Sequence, residues 1–146
     1  MGFDIAQRSA IIYDSGTEQF TGTTLEGIGQ AVVGVLQHPD ETANRFVKAR
    51  SIQTCQNELL EAFQSATGSQ WDVQRSSTKT LLASGRSKFQ AGVGGWVVGL
   101  VVAQLLDAGE ARCVVASSRE DSDADLLGVV EETPQEVVAK ILKARS

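Results

Sequence analysis

One histidine, two cysteines and a single tyrosine in 146 residues leave little material for several kinds of chemistry. A Ser-His-Asp or Cys-His constellation would depend on His38 alone. His38 stands directly before Pro39 at an expected helix C-terminus, where the helix dipole favours a cation and no catalytic role is needed. Cys55 and Cys113 show no CxxC spacing and no accompanying histidines, which argues against a zinc site and against a disulfide scaffold. Reduced thiols in an intracellular protein are the simpler reading. Cys113, in Arg112-Cys113-Val114-Val115, has one positive neighbour and nothing else to depress its pKa. Clustered Lys and Arg are also missing. With a net charge of −5 and a pI of about 4.8, the chain lacks the positive footprint that nucleic acid requires, so neither nucleic acid nor an anionic membrane surface is an expected partner.

The start of the chain, Met1-Gly2-Phe3-Asp4-Ile5, has neither a basic beginning nor a sustained apolar core and does not read as a secretory signal. It also lacks the Ser or Thr of a myristoylation site. A cytoplasmic location is the default expectation. The acidic residues 120–125 lack the glycine and terminal glutamate of an EF-hand loop, so calcium is not expected. What the chain does have is 42% hydrophobic residues, enough for one sizeable core and one domain over residues 1–146.

Read in order, the pattern is α/β. Ala10-Ile11-Ile12-Tyr13 and Gln19-Phe20-Thr21 flank Asp14-Ser15-Gly16-Thr17, predicting a short hairpin. Thr23 and Glu26 form a capping box for a helix whose apolar stripe is Leu25, Ile28, Val32, Val35 and Leu36, ending near His38-Pro39. Residues 45–49 alternate as a strand. Thr54 is placed to cap a helix that runs through Leu59, Leu60 and Phe63 to a stop at Gly68. Trp71 and Val73 are the inward positions of a further strand, and Ser77 caps a helix over Leu81, Leu82 and Phe89. Residues 117–125 read as a solvated loop. Thr133, Pro134 and Glu136 give a clear helix start.

The turn at Asp14-Ser15-Gly16, the helix opening Thr23-Thr24-Leu25-Glu26-Gly27-Ile28-Gly29, the strand opening Asn44-Arg45-Phe46-Val47 and the helix opening Thr54-Cys55-Gln56-Asn57-Glu58-Leu59-Leu60 follow one another in an order that resembles the second half of NmrA-like and isoflavone-reductase-like proteins, atypical short-chain dehydrogenases. Thr133-Pro134-Gln135-Glu136-Val137-Val138 is similar to that family's last helix. The resemblance implies a small α/β domain equivalent to the substrate-side half of a Rossmann-type fold. In the family, a βαβ unit with a glycine-rich loop holds the dinucleotide, and a lysine of the same half is the usual catalytic residue. Both lie before the counterpart of Met1, so no cofactor is expected on this chain alone, and NADPH enters by resemblance only. Gly92-Val93-Gly94-Gly95 is the nearest glycine cluster, but no predicted strand feeds it and the pattern's last glycine is missing.

Residues 93–106 hold Gln104 as their only polar side chain. As a helix this segment is apolar on every face and must be covered all round. It is shorter than the roughly 20 residues that cross a bilayer, so a buried helix or a subunit interface is expected rather than a span. A strand at 45–49 without the family's neighbouring strands presents unpaired backbone on both sides. The chain must then rebuild a sheet, dock on another protein or pair with a second copy. A homodimer through the apolar helix around Trp96 is the preferred expectation, and a poorly folding fragment is the bland one.

Candidate ligand contacts are Tyr13 with Asp14, which could orient a substrate hydroxyl, and Arg75 beside Ser76 and Ser77, which could bind a carboxylate. Phe89 and Trp96 fall where the family's substrate wall implies contacts to a small apolar or aromatic ligand. Core packing is the commoner role for Tyr13, Phe89 and Trp96, and a solvated charge for Arg75. Three functions stay open: the substrate-side portion of an NAD(P)H-dependent reductase acting on a small aromatic or carbonyl metabolite, a cofactor-free cyclase, isomerase or dehydratase, and a non-catalytic binding or regulatory module.

Overall fold

The computed structural model describes residues 2–111 and 113–144, so the expected positive neighbour of Cys113, Arg112, lies outside the described residues. The elements run β1 (Phe3–Asp4), β2 (Ser9–Tyr13), β3 (Phe20–Gly22), α1 (Leu25–Gln37), α2 (Pro39–Thr42), β4 (Ile52–Thr54), α3 (Gln56–Thr67), β5 (Asp72–Ser76), α4 (Thr78–Gln90), α5 (Trp96–Leu106) and α6 (Pro134–Lys143). They gather into two compact units. The first comprises the segments up to Phe20 and Cys55–Cys113, the second Thr21–Thr54 and the segment from Val114 onward.

In the first unit β2 is the central strand of a sheet ordered β1-β2-β5. It pairs antiparallel with β1 and parallel with β5, in register from Ser9 opposite Asp72 to Tyr13 opposite Ser76. The expected hairpin between residues 10–13 and 19–21 does not form. The turn itself is present, closed by the Gly16 N–H donating to the Tyr13 carbonyl at 3.0 Å. But the Gly16 carbonyl accepts from the Asn57 N–H at 3.0 Å and the Asp14 carboxylate accepts from Thr78. Both ends of the turn are thereby held by helix starts rather than folded back, and β3 pairs with β4.

Trp71 is buried against Phe63, ring centroids 4.9 Å apart. Val73 is 36% exposed, not turned inward as its alternation predicts, because β5 is an edge strand with a wet face. The α3 cap is Cys55, one residue after Thr54; the Glu58 carboxylate accepts from its N–H at 3.2 Å. Gly68 ends that helix in the left-handed conformation, as expected, and the Ser77 hydroxyl caps α4 by accepting from the Thr80 N–H.

Helix α5 packs along α4 through glycines. A Cβ on Gly85 would stand 3.0 Å from Leu100 Cδ2, and one on Gly99 3.4 Å from the Gly85 Cα. On its inner side Val102, Ala103 and Leu106 are buried, and Val102 and Leu106 join Tyr13 and Phe20 in a core. Cover is not complete, however. Val97, Val98 and Val101 are exposed. Among the described residues no helix is long and apolar enough to cross a membrane.

In the second unit residues 45–49 are not a strand; the strand is β4, a few residues later. Other groups satisfy the backbone that a neighbouring strand would have paired. The Lys48 N–H donates to the Asp123 carboxylate at 2.7 Å, the Lys48 carbonyl accepts from the Asp123 N–H, and the Ala49 carbonyl accepts from the Thr23 hydroxyl. Thr23 is therefore not the α1 cap. Thr24 is, accepting from the Gly27 N–H at 3.2 Å, while Glu26 pairs with Lys140 instead of closing a capping box.

The stripe expected to bury α1 faces water. Leu25 is 88% exposed, Leu36 75%, Val32 55% and Ile28 48%, and only Val35 of the five packs on the core. The buried positions are Gly27 and Gly34. A Cβ on Gly34 would lie 2.4 Å from the Leu127 carbonyl oxygen, an approach that only glycine permits. The core beneath it is Ala124, Leu127 and Val129, so residues 117–125, expected as a solvated loop, end inside the unit. Helix α6 begins where Thr133, Pro134 and Glu136 place it, with both halves of the capping box formed.

Candidate functional site

Tyr13 is the last residue of β2, and the strand delivers it to the ends of the parallel pair, the edge of an open α/β sheet where ligands collect. Its backbone is fixed twice. The β5 ladder holds one side, and on the other its N–H donates to Gln56 Oε1 at 2.8 Å while Gln56 Nε2 donates to the Ile11 carbonyl at 3.0 Å. Gln56 is fully buried. The Tyr13 side chain is only 9% exposed, and no hydrogen bond is made by its hydroxyl among the described residues. Burial pushes its pKa above 10.0, so the phenol is protonated at neutral pH and has a proton to donate.

Two clefts meet at this side chain. One, of about 310 Å³, is bounded by Ile11, Gln74 and Ser76 on the sheet and Thr80 on α4, with Arg75. The other, of about 180 Å³, lies between α4 and α5 and is lined by Gly85, Lys88, Val98 and Val102. Tyr13, Leu81 and Ser84 belong to both. Leu81, Ser84, Gly85 and Lys88 fall at i, i+3, i+4 and i+7 on α4, one face of the helix.

The Asp14 carboxylate, beside Tyr13 in sequence, is engaged by Thr78. It accepts from the Thr78 hydroxyl at 2.5 Å and from the Thr78 N–H at 3.3 Å. That hydroxyl is also 3.3 Å from Asp107. This knot of buried Thr78 between two carboxylates ties the start of α4 to the end of β2 and so sets the Leu81–Ser84 face against Tyr13.

Of the four residues singled out from sequence, Tyr13 and Arg75 line one cleft. Phe89 and Trp96 pack edge-to-face on one another, centroids 4.7 Å apart, with Phe89 59% exposed; neither lines these clefts. Sequence reasoning passed over Ser84, Lys88 and Gln56. The signal for the first two was a polar interruption, Ser84 and Lys88, on the same helical face as Leu81. His38 faces Glu41, Nδ1 to Oε1 3.6 Å, at the α1–α2 junction.

A dinucleotide pyrophosphate requires glycines between a strand and a helix. Gly92–Gly95 joins two helices, and Gly16 follows a strand but leads to β3. Neither fits, and among the described residues no group of three or more His, Cys, Asp or Glu side chains is arranged to hold a metal. In the second unit Glu132 is buried. Burial alone would raise its pKa, but Lys140 Nζ at 2.8 Å and the Thr24 hydroxyl at 2.5 Å outweigh it and hold the carboxyl below its usual range. Every member of this network bonds to another, which makes it a structural brace.

Among solved structures, a nucleoside-diphosphate-sugar epimerase from Staphylococcus aureus matches the chain with a TM-score of 0.60 at 16% identity, over 92% of this chain and 44% of that one. The fold is that of part of this epimerase. No protein-family profile matches the sequence. The chain is 72% identical over 143 residues to the oxidoreductase poxI of Penicillium oxalicum, a match that takes in 98% of this chain and 46% of that protein. It is 33% identical over 73 residues to the oxidoreductase aprR of Aspergillus flavus, half of this chain and 25% of that protein. The chain thus spans about half the length of the first relative.

Proposed function

We propose that this chain is the substrate-side part of an oxidoreductase-family protein of the NmrA-like kind, which holds a small aromatic or carbonyl metabolite against Tyr13. The supporting observation is Tyr13, a largely buried residue whose protonated hydroxyl makes no hydrogen bond among the described residues and stays accessible where two clefts meet. The hydroxyl is accessible from the clefts, so a ligand oxygen there takes the place of water as its acceptor. A carbonyl oxygen placed there accepts the phenolic hydrogen bond and is polarised by it. The two relatives, both named oxidoreductases, support that reading. NAD(P)H dependence is carried by the resemblance alone.

The reading is tested with the neutral ketone 4-phenyl-2-butanone titrated into isotope-labelled protein. The expected result is that amides around Tyr13, Leu81 and Ser84 shift. Tyr13→Phe, which keeps the ring, should weaken binding about two- to tenfold, the value of one neutral hydrogen bond of about 0.5–1.5 kcal/mol. Unchanged affinity in the variant, or shifts confined to another surface, would remove the proposal.

The bare side of α5 belongs to the same reading. Trp96–Leu106 carries no charged side chain, so a two-fold contact through Val97 and Val101, which line neither cleft, brings no like charges from this helix together. A second copy of the chain is the proposed cover.

A further inference from the structure

The two clefts at Tyr13 share a charge pattern at odds with the rest of the chain. No Asp or Glu lines either of them, whereas each carries one cation, Arg75 in the first and Lys88 in the second. Neither cation makes an ion pair or hydrogen bond among the described residues. The protein as a whole has a net charge of −5, so cations free of acidic neighbours on both sides of one unbonded phenol are not what its composition leads one to expect. Between them the lining is apolar or small, with Leu81, Val98, Val102 and Gly85, and it offers the hydroxyls of Tyr13 and Ser84.

Building on the reading of these clefts as a ligand site, we infer that the ligand is an anionic carbonyl compound, an oxo acid with an apolar body. The apolar body lies along Leu81, Val98 and Val102, the carbonyl oxygen accepts from Tyr13, and the carboxylate is met by Arg75 or Lys88. A guanidinium presents a planar fork that matches a carboxylate, and both cations are exposed enough to reach a ligand without being stranded in its absence. Each is screened by solvent, so their contribution is selectivity that falls with salt.

The test compares 2-oxo-4-phenylbutanoate with 4-phenyl-2-butanone, which replaces the carboxylate by a methyl group. The expected result is about two- to fivefold tighter binding of the oxo acid, the range of an exposed, solvent-screened charge pair. The preference should be lost in the Arg75→Gln/Lys88→Gln double variant and should shrink in about 1 M salt, where the Debye length is about 3 Å. Ketone affinity measured under the same conditions is the reference against which the preference is read. Equal binding of the two probes at the Tyr13 amides, or a preference that survives the double variant and salt, overturns the inference and leaves the ligand site standing. If neither probe moves those amides, the site and the inference fall together. A melting curve shows that the double variant, altered only at exposed positions, is folded, and the salt series needs no variant at all.

Discussion

Strand β1 pairs with β2 only as far as Ala10. Beyond that point the Gln56 side chain takes over, accepting from the Tyr13 N–H and donating to the Ile11 carbonyl, as a neighbouring strand would. The expected effect of Gln56→Ala is a loss of about 1–3 kcal/mol, the cost of leaving the buried Tyr13 N–H without its partner, the Ile11 carbonyl bond being only part-buried. Denaturant unfolding checks this, and an unchanged midpoint would mean that other groups take up both bonds. Nothing local in the sequence marks Gln56. It reads as an ordinary polar residue in the first turn of a helix, and its partner strand lies 43 residues earlier. Ser77 and Thr133 were legible for the opposite reason: a capping hydroxyl bonds an N–H three residues on, so the whole device fits within one turn. The places of Tyr13 and Arg75 near strand ends were legible, but their common cleft was not, since it depends on a parallel pairing across some sixty residues of chain.

At the level of single elements, α1 shows how a correct helix can be assigned the wrong inside. The apolar stripe through Leu25, Ile28, Val32 and Leu36 has helical period, and periodicity assigns such a stripe to the core. In the structure the backbone at Gly34 meets the backbone at Leu127, and the helix seats on its smallest face. Hydropathy cannot foresee that choice, because glycine carries no apolar side chain to count. Gly34→Ala should cost about 1–3 kcal/mol by overpacking against a carbonyl that has little room to retreat. This outweighs the gain of up to about 1 kcal/mol that alanine brings to an ordinary helix position. Thermal melting of that variant decides between the two, and a stabilised protein would show that α1 can lift from Leu127. Helix α4 teaches a related lesson. Its Ser84 and Lys88 are exposed beside Leu81 and Gly85 on the face that lines the α4–α5 cleft, and hydropathy reads such residues as ordinary solvated ones.

For the whole molecule, the outward valines of α5 set the expected state of association. Fully burying one aliphatic side chain is worth about 1.5–3 kcal/mol relative to leaving it exposed, and Val97, Val98 and Val101 are all partly wet. Light scattering at micromolar concentration is expected to return about twice the 15.5 kDa of one chain. Val101→Asp, which sets two carboxylates facing each other across a two-fold contact, should return the mass to that of one chain while leaving the melting curve near the parent's. A wild-type mass of 15.5 kDa at high concentration would instead leave α5 wet in solution.

On α1 the customary map of mutational tolerance is turned over. Position 34, with no side chain, is the one that most resists replacement, and position 27 takes a methyl only if Ser51 and Thr23 give way slightly, whereas the leucines at 25 and 36 could drift toward glutamine or lysine with scarcely any thermodynamic penalty to the isolated chain. Sequence drift along this helix therefore becomes a record of whether anything has rested on it: free variation at the leucines speaks for a surface that has always met solvent, and persistence there speaks for company.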